Sequence, residues 1–157
     1  MFSLPQSTGE FRMTNHVQQI LYISQSIGAL TTAVCEDILA VARKNNKRDG
    51  VTGFLACLPN GTIIQILEGD ANTVSATYER ISRDSRHHSL AKLLDLEGEE
   101  RLFSEWFMGF RMVKQSEVGY LPDFINLSGG EVSNVLDGTS TPIKMLRSIF
   151  LANTIFD

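Results

Sequence analysis

A glutamine inside an apolar strand needs a reason. Gln65 stands in the run Ile63-Ile64-Gln65-Ile66-Leu67, on the strand face it shares with Ile63 and Leu67. A buried amide left without partners costs roughly 1–3 kcal/mol; local backbone, or water at a strand edge, would satisfy it just as well as a ligand. Tyr22 lies in the middle of a second apolar stretch, VQQILYIS from Val17 to Ser24, where a half-buried core tyrosine is the ordinary explanation. Asn45 and Asn46 close a helical stretch, a place where asparagine is common. Asn45 follows Val34 by about three helical turns and so points to the same side, and Asn46 stands one turn after Ala42. Two amides at the mouth of an apolar groove can hydrogen-bond a planar heterocycle; capping and solvent are the alternative. Arg80, between Tyr78 and Ile81, is either a surface arginine or one that reaches over a groove edge to a carbonyl or phosphate. Trp106 and Met108, two apart at the start of a strand, read as a same-face pair, either core or sensor.

The elements that must hold these residues follow from periodicity. Val17 to Ser24 is a first strand, rich in β-branched residues. A helix capped by Thr31 or Thr32 runs to about Asn46, with Glu36 and Asp37 in its first turns and Val34, Ile38, Val41 and Ala42 as its apolar stripe. Lys47 to Gly50 turns the chain, and strands Val51 to Leu58 and Thr62 to Leu67 form a hairpin around Pro59-Asn60-Gly61. A second helix spans about Ala71 to Arg83, capped by Asp70 or Asn72, with Val74, Tyr78 and Ile81 inward. Strands follow at Leu90 to Glu97 and Trp106 to Val113. The order β-α-β-β-α-β-β is that of an α+β, ferredoxin-like sheet with two helices on one face and an extra strand. Strands make the floor of one groove and helices its walls. Ile38 and Ile81, one from each helix, can sandwich a flat ring, in an apolar slot with a few convergent polar groups.

The segment from Ile63 to Leu67 is apolar at both parities, so both sheet faces are expected to be covered there. The two helices cover one. For the other, the expectation is the C-terminal extension 114–157, where a loop from Leu127 to Ser140 precedes a helix with Thr141 as cap, Pro142 at its first position, and Ile143, Leu146, Ile149 and Phe150 on one side. Residues 1–15 read as a flexible, polar N-terminus, in which Met13 can be an internal start.

At 157 residues, 43% apolar and 20% charged, the chain suits one soluble domain. A net charge of −4 with scattered basic residues argues against nucleic acid as partner. No stretch reaches the roughly 20 apolar residues of a membrane span, no signal peptide is visible, and Cys35 and Cys57 lack a CxxC spacing. The expectation is a cytoplasmic protein without a metal site.

Five stretches carry a family resemblance: LYIS at 21–24, ARKNNKRDGVTGFL at 42–55, QILEG at 65–69, YERISRDSRHHS at 78–89 and EWFMGF at 105–110. In that order, over residues 17–113 and about three fifths of the chain, they resemble the BLUF domains, which sense blue light using FAD. The resemblance implies a flavin-binding domain at 16–113. It places the family's photoactive tyrosine on Tyr22, its switching glutamine on Gln65, the ring-bonding amides on Asn45 and Asn46, the arginine beside the ring on Arg80, the mobile segment on Trp106 and Met108, and the residues packing on the ring faces on Ile38 and Ile81. It also implies a mechanism: Tyr22 gives an electron and proton to excited flavin, and their return leaves Gln65 rotated or tautomerised, with a new bond to a flavin carbonyl and a small red shift. The expected protein is a receptor and not an enzyme, signalling through a protein partner, a homo-oligomer interface, or both.

Three other readings are open to the same fold. An acylphosphatase-type hydrolase needs a phosphate-binding loop with arginine and asparagine, and no glycine-rich cradle is present. A plain interaction module would fill the groove with core side chains. A nucleic-acid-binding sheet would expose aromatics on its central strands, whereas the neighbours of Gln65 are aliphatic.

Overall fold

The computed structural model describes residues 16–116. The N-terminal arm 1–15 and the helix expected from Thr141 lie outside the described residues.

Strand β1 (Val17–Ser26) runs into helix α1 (Thr32–Asp49). Of the two threonines, Thr31 is the cap: its hydroxyl accepts from the Val34 amide at 3.2 Å. The first turn holds no acidic residue, so Glu36 and Asp37 sit one turn deeper than the dipole favours. The helix also outlasts its expected end at Asn46. Lys47, Arg48 and Asp49 carry nothing that breaks a helix, and Gly50 stops it by taking the left-handed conformation at φ 70°.

Strands β2 (Thr52–Cys57) and β3 (Thr62–Gly69) form the expected hairpin. Leu58 donates to the Thr62 carbonyl at 2.8 Å, and the Asn60 side chain accepts from the Thr62 amide at 3.0 Å. Helix α2 (Ala71–Ser82) is capped by Asp70, which accepts from the Thr73 amide at 3.3 Å. Strand β4 (His87–Gly98) starts three residues earlier than the apolar pattern suggests, and β5 is short, Gly109–Met112.

The sheet order is β4-β1-β3-β2-β5, with every pairing antiparallel except β2 with β5. This is the ferredoxin-like α+β arrangement with a fifth strand at one edge. Two apolar layers result. Ile20, Leu55, Ile63 and Leu67 pack against Cys35, Leu39 and Val74 under the helices. Leu21, Ile23, Phe54, Ala56, Ile64 and Ile66 form the layer on the opposite face. The run 63–67 is therefore buried at both parities, as its composition requires. Among the described residues, the far face is reached by the β4–β5 crossover: it passes from one sheet edge to the other and lays Phe103 and Trp106 on Phe54, at ring-centroid distances of 5.7 and 5.8 Å.

The stripe that faces the core from α1 differs from the expected one. Cys35, Leu39 and Asn46 are buried, while Val34 and Val41 are 37% and 55% exposed and Ile38 is half-buried. On α2 only Val74 and Thr77 are buried, with Tyr78 and Ile81 half-buried. The groove between the helices explains the difference, because the apolar stripes point into it. Among the described residues no helix is long and apolar enough to cross a membrane.

Candidate functional site

Tyr22 and Gln65 are cross-strand partners in the antiparallel ladder of β1 and β3. Directly opposed side chains on one face of such a pair lie within contact distance, so register alone brings phenol and amide together. Both are buried, and the Tyr22 hydroxyl donates to Gln65 Oε1. On its other side Gln65 Nε2 meets Met108 Sδ at 3.6 Å, a weak acceptor. Burial, reinforced by the nearby Tyr78 and Asp84, pushes the Tyr22 phenol far above its usual range, so it stays protonated. The Tyr78 ring stands edge-on to it at 5.2 Å.

This pair forms part of the wall of a cavity of about 460 Å³ between the helices and the sheet, a size usual for small-molecule sites. Val34, Ile38, Val41 and Ile81 give it apolar sides, and Asn45 and Asn46 add amides from the end of α1. Asn46, buried, donates to the Phe107 carbonyl at 2.6 Å, and Asn45 is half-buried. Arg80 borders the cavity with its side chain half-exposed and a long 3.9 Å pairing to Asp49. The lining fits a flat, mostly apolar ring with hydrogen-bonding groups on its edge: aliphatic side chains turn to the cavity from both helices, and phenol and amides converge on it.

Seven of the nine residues singled out in the sequence, Tyr22, Ile38, Asn45, Asn46, Gln65, Arg80 and Ile81, thus border one cavity. Met108 is buried against Gln65. Trp106 is elsewhere. The expectation that Trp106 and Met108 share a strand face does not hold, because β5 begins only at Gly109 and the backbone bends at Phe107 and Met108. Trp106 packs on the far face with Phe103 and Phe54, and Met108 joins the layer under the helices. Two carbonyl contacts hold the bend: Asn46 on Phe107, and Arg43 Nε on Met108 at 2.9 Å.

Sequence reasoning missed the turn after α2. Asp84, Arg86 and His87 border the cavity. The Arg86 guanidinium holds the Asp84 carboxyl down at about 2. His87 is fixed at both ring nitrogens, by the Ile81 carbonyl at 2.7 Å and the Ser24 hydroxyl at 2.8 Å. The alternation of charge in Arg83-Asp84-Ser85-Arg86 was the available signal. The two cysteines, distant in sequence, meet in the cavity lining; burial first, and then Cys35, pushes the Cys57 thiol up to about 12. Such a thiol is a poor nucleophile at neutral pH. Among the described residues no His, Cys, Asp and Glu cluster suits a metal ion.

The model of the BLUF family, described as sensors of blue light using FAD, matches residues 17–109, more than half of the chain. The chain belongs to this family. BLUF domains are blue-light sensors that bind flavin. This BLUF chain is 31% identical over 101 residues to the photoactivated adenylate cyclase subunit beta of Euglena gracilis, an overlap of 64% of this chain and 11% of that protein. Among solved structures it is similar to a bacterial light-regulated adenylyl cyclase, with 30% identity, a TM-score of 0.61, and 66% of this chain over 31% of the other. It shares its fold with the BLUF protein BlrB in the dark state, at 23% identity and a TM-score of 0.69 over 90% of this chain and 99% of that one. The chain spans about a tenth of the curated cyclase and about a third of the bacterial one.

Proposed function

We propose that this chain is a blue-light receptor in which Tyr22 and Gln65 are the photoactive pair. The observation that carries the reading is the buried Tyr22–Gln65 hydrogen bond at the wall of a cavity lined for a flat ring. Asn45 and Asn46 would hold the ring edge, Ile38 and Ile81 its faces, and Arg80 the solvent side. Bound flavin supplies the absorption of blue light and, when excited, a strong oxidant.

Tyr22 is the reductant. Its phenol is protonated, and its hydroxyl points at Gln65 Oε1. Loss of an electron makes a phenol strongly acidic, so the proton moves along that bond toward the amide. After electron and proton return, Gln65 is left rotated or in its imidic tautomer. Rotation is feasible because a tyrosine hydroxyl both donates and accepts, and so bonds either end of the amide, while the thioether of Met108 holds the other end only weakly. An equilibrium shifts only through contacts that differ between its states; the exchanged bonds of Gln65 are that difference.

The choice of FAD over FMN follows the family description. We read the chain as a sensor without catalysis of its own, placed in the cytoplasm, that passes its state to a protein partner or a second copy, since the cyclases it resembles are light-regulated.

Absorption spectra before blue light, after it, and during darkness test this. The wild type should be yellow, with a small reversible red shift. Tyr22→Phe and Gln65→Leu should keep the flavin and lose the shift. A normal photocycle in either variant, or a wild type that takes up no flavin, would overturn the reading.

A further inference from the structure

Glu68 is fully buried, three residues beyond Gln65 on β3 and therefore on the opposite face. Its partners are all donors: Gln19 Nε2 at 2.8 Å, the Leu102 amide at 2.7 Å and the Phe103 amide at 2.8 Å. That pattern suits the acceptor-only oxygens of a carboxylate, whereas a carboxamide would set an NH₂ against an N–H. Gln19 is the cross-strand partner of Glu68, so the carboxylate is held from β1 as well. Next to it Arg101 donates to the Thr52 hydroxyl at 3.1 Å and to the Glu68 carbonyl at 3.4 Å. Residues 101–103 are thus fastened to β2 and β3. From there the crossover continues through Phe103 and Trp106, whose carbonyl accepts from the Gly53 amide at 3.1 Å, to Met108 against Gln65. Strand β3 therefore grips one crossover at two points, from its two faces.

We propose that Glu68 is a positioning residue for the light-driven switch: its carboxylate anchors the β4–β5 crossover so that Met108 is presented to Gln65 in the dark arrangement. The inference rests on the photoreceptor reading above. Glu68 does not border the cavity, so its effect must pass through the crossover. Releasing the anchor weakens the Met108 contact that belongs to the dark state, and the lit state then decays more slowly.

The test uses the full flavin-loaded chain with Glu68→Gln, Met108→Leu and the double variant, and reads dark-recovery rate and amide hydrogen exchange. In Glu68→Gln the Leu102 and Phe103 amides should exchange faster by at least about tenfold, the lower end for one lost charged hydrogen bond. Recovery should slow, and adding Glu68→Gln to Met108→Leu should slow it no further, because both act through one contact. Where Glu68→Gln does not fold, Arg101→Ala loosens the same segment and must show the same non-additive slowing. Unchanged exchange overturns the anchor. Fast exchange with wild-type recovery, or full additivity with Met108→Leu, overturns the positioning role. A wild type with no light-induced shift overturns the photoreceptor reading instead, and the two failures are told apart by that control.

Discussion

Gln65 lies between a hydroxyl that can reverse its bond and a sulfur that can only accept. Few buried amides are so weakly committed. Most are locked by backbone groups, and turning them strands a donor at a cost of about 1–3 kcal/mol. Here the Tyr22 end tolerates either orientation, and the Met108 end decides. Met108→Leu conserves volume, so it should leave the fold and flavin binding intact. On the mechanism proposed above, it removes a contact that belongs to the dark arrangement. The lit state should therefore last about two- to fivefold longer, the equivalent of several tenths to one kcal/mol. Absorbance followed in darkness after a light pulse measures it, and a shortened lifetime would contradict the assignment.

At the scale of elements, two glycines decide whether α1 and the central strands deliver their residues. Gly50 ends α1 at φ 70°, with open space where a side chain would stand. Gly50→Ala meets no clash and incurs only the left-handed penalty of roughly 1–2 kcal/mol. Gly53 has ordinary backbone angles but no room: a Cβ there would lie 1.9 Å from the Ile66 carbonyl oxygen. Gly53→Ala must push β2 from β3, pull on the amide that holds the Trp106 carbonyl, and cost about 3 kcal/mol, the upper end of the overpacking range. Urea unfolding should show a modest loss of midpoint at constant slope for the first and a much larger loss for the second. Equal losses would mean that the β2–β3 approach is not what excludes a side chain.

For the molecule as a whole, the sheet separates two apolar layers. The cavity lies under the helices, and the aromatic group of Phe54, Phe103 and Trp106 lies beyond the sheet. The crossover touches both, through Met108 at Gln65 and Trp106 on the far face, and so offers a change at Gln65 a route to the far face outside the strands. The lining also predicts how ligand and fold are linked. A ligand that binds only the native state stabilises it by about 2.7 kcal/mol when present at 100 times its dissociation constant. Added flavin should therefore raise the melting temperature of flavin-depleted protein. An unmoved transition with both FAD and FMN would mean that the groove is ordinary core, as in an interaction module.

Local pattern determined a good deal by itself. Period-two and period-3.6 apolar spacing places all seven elements, and Asn-Gly marks the hairpin, because these signals depend on backbone geometry within a few residues. Gln65 was conspicuous because one polar residue interrupts an apolar strand. Ends were less legible: α1 runs on to Asp49 because three tolerated polar residues precede the glycine that can stop it. Tertiary structure alone decided which stripe of α1 is core and which is cavity wall, since both are apolar and helical spacing does not distinguish them. It alone parted Trp106 from Met108, through side chains of α1 that bend the crossover by bonding its carbonyls. Likewise Glu68, an ordinary surface residue by type, became a buried anchor only when Gln19 and two amides from a distant segment closed on it. Pairings between segments dozens of residues apart leave no periodic trace along the chain, and the cavity and its anchor are made of such pairings.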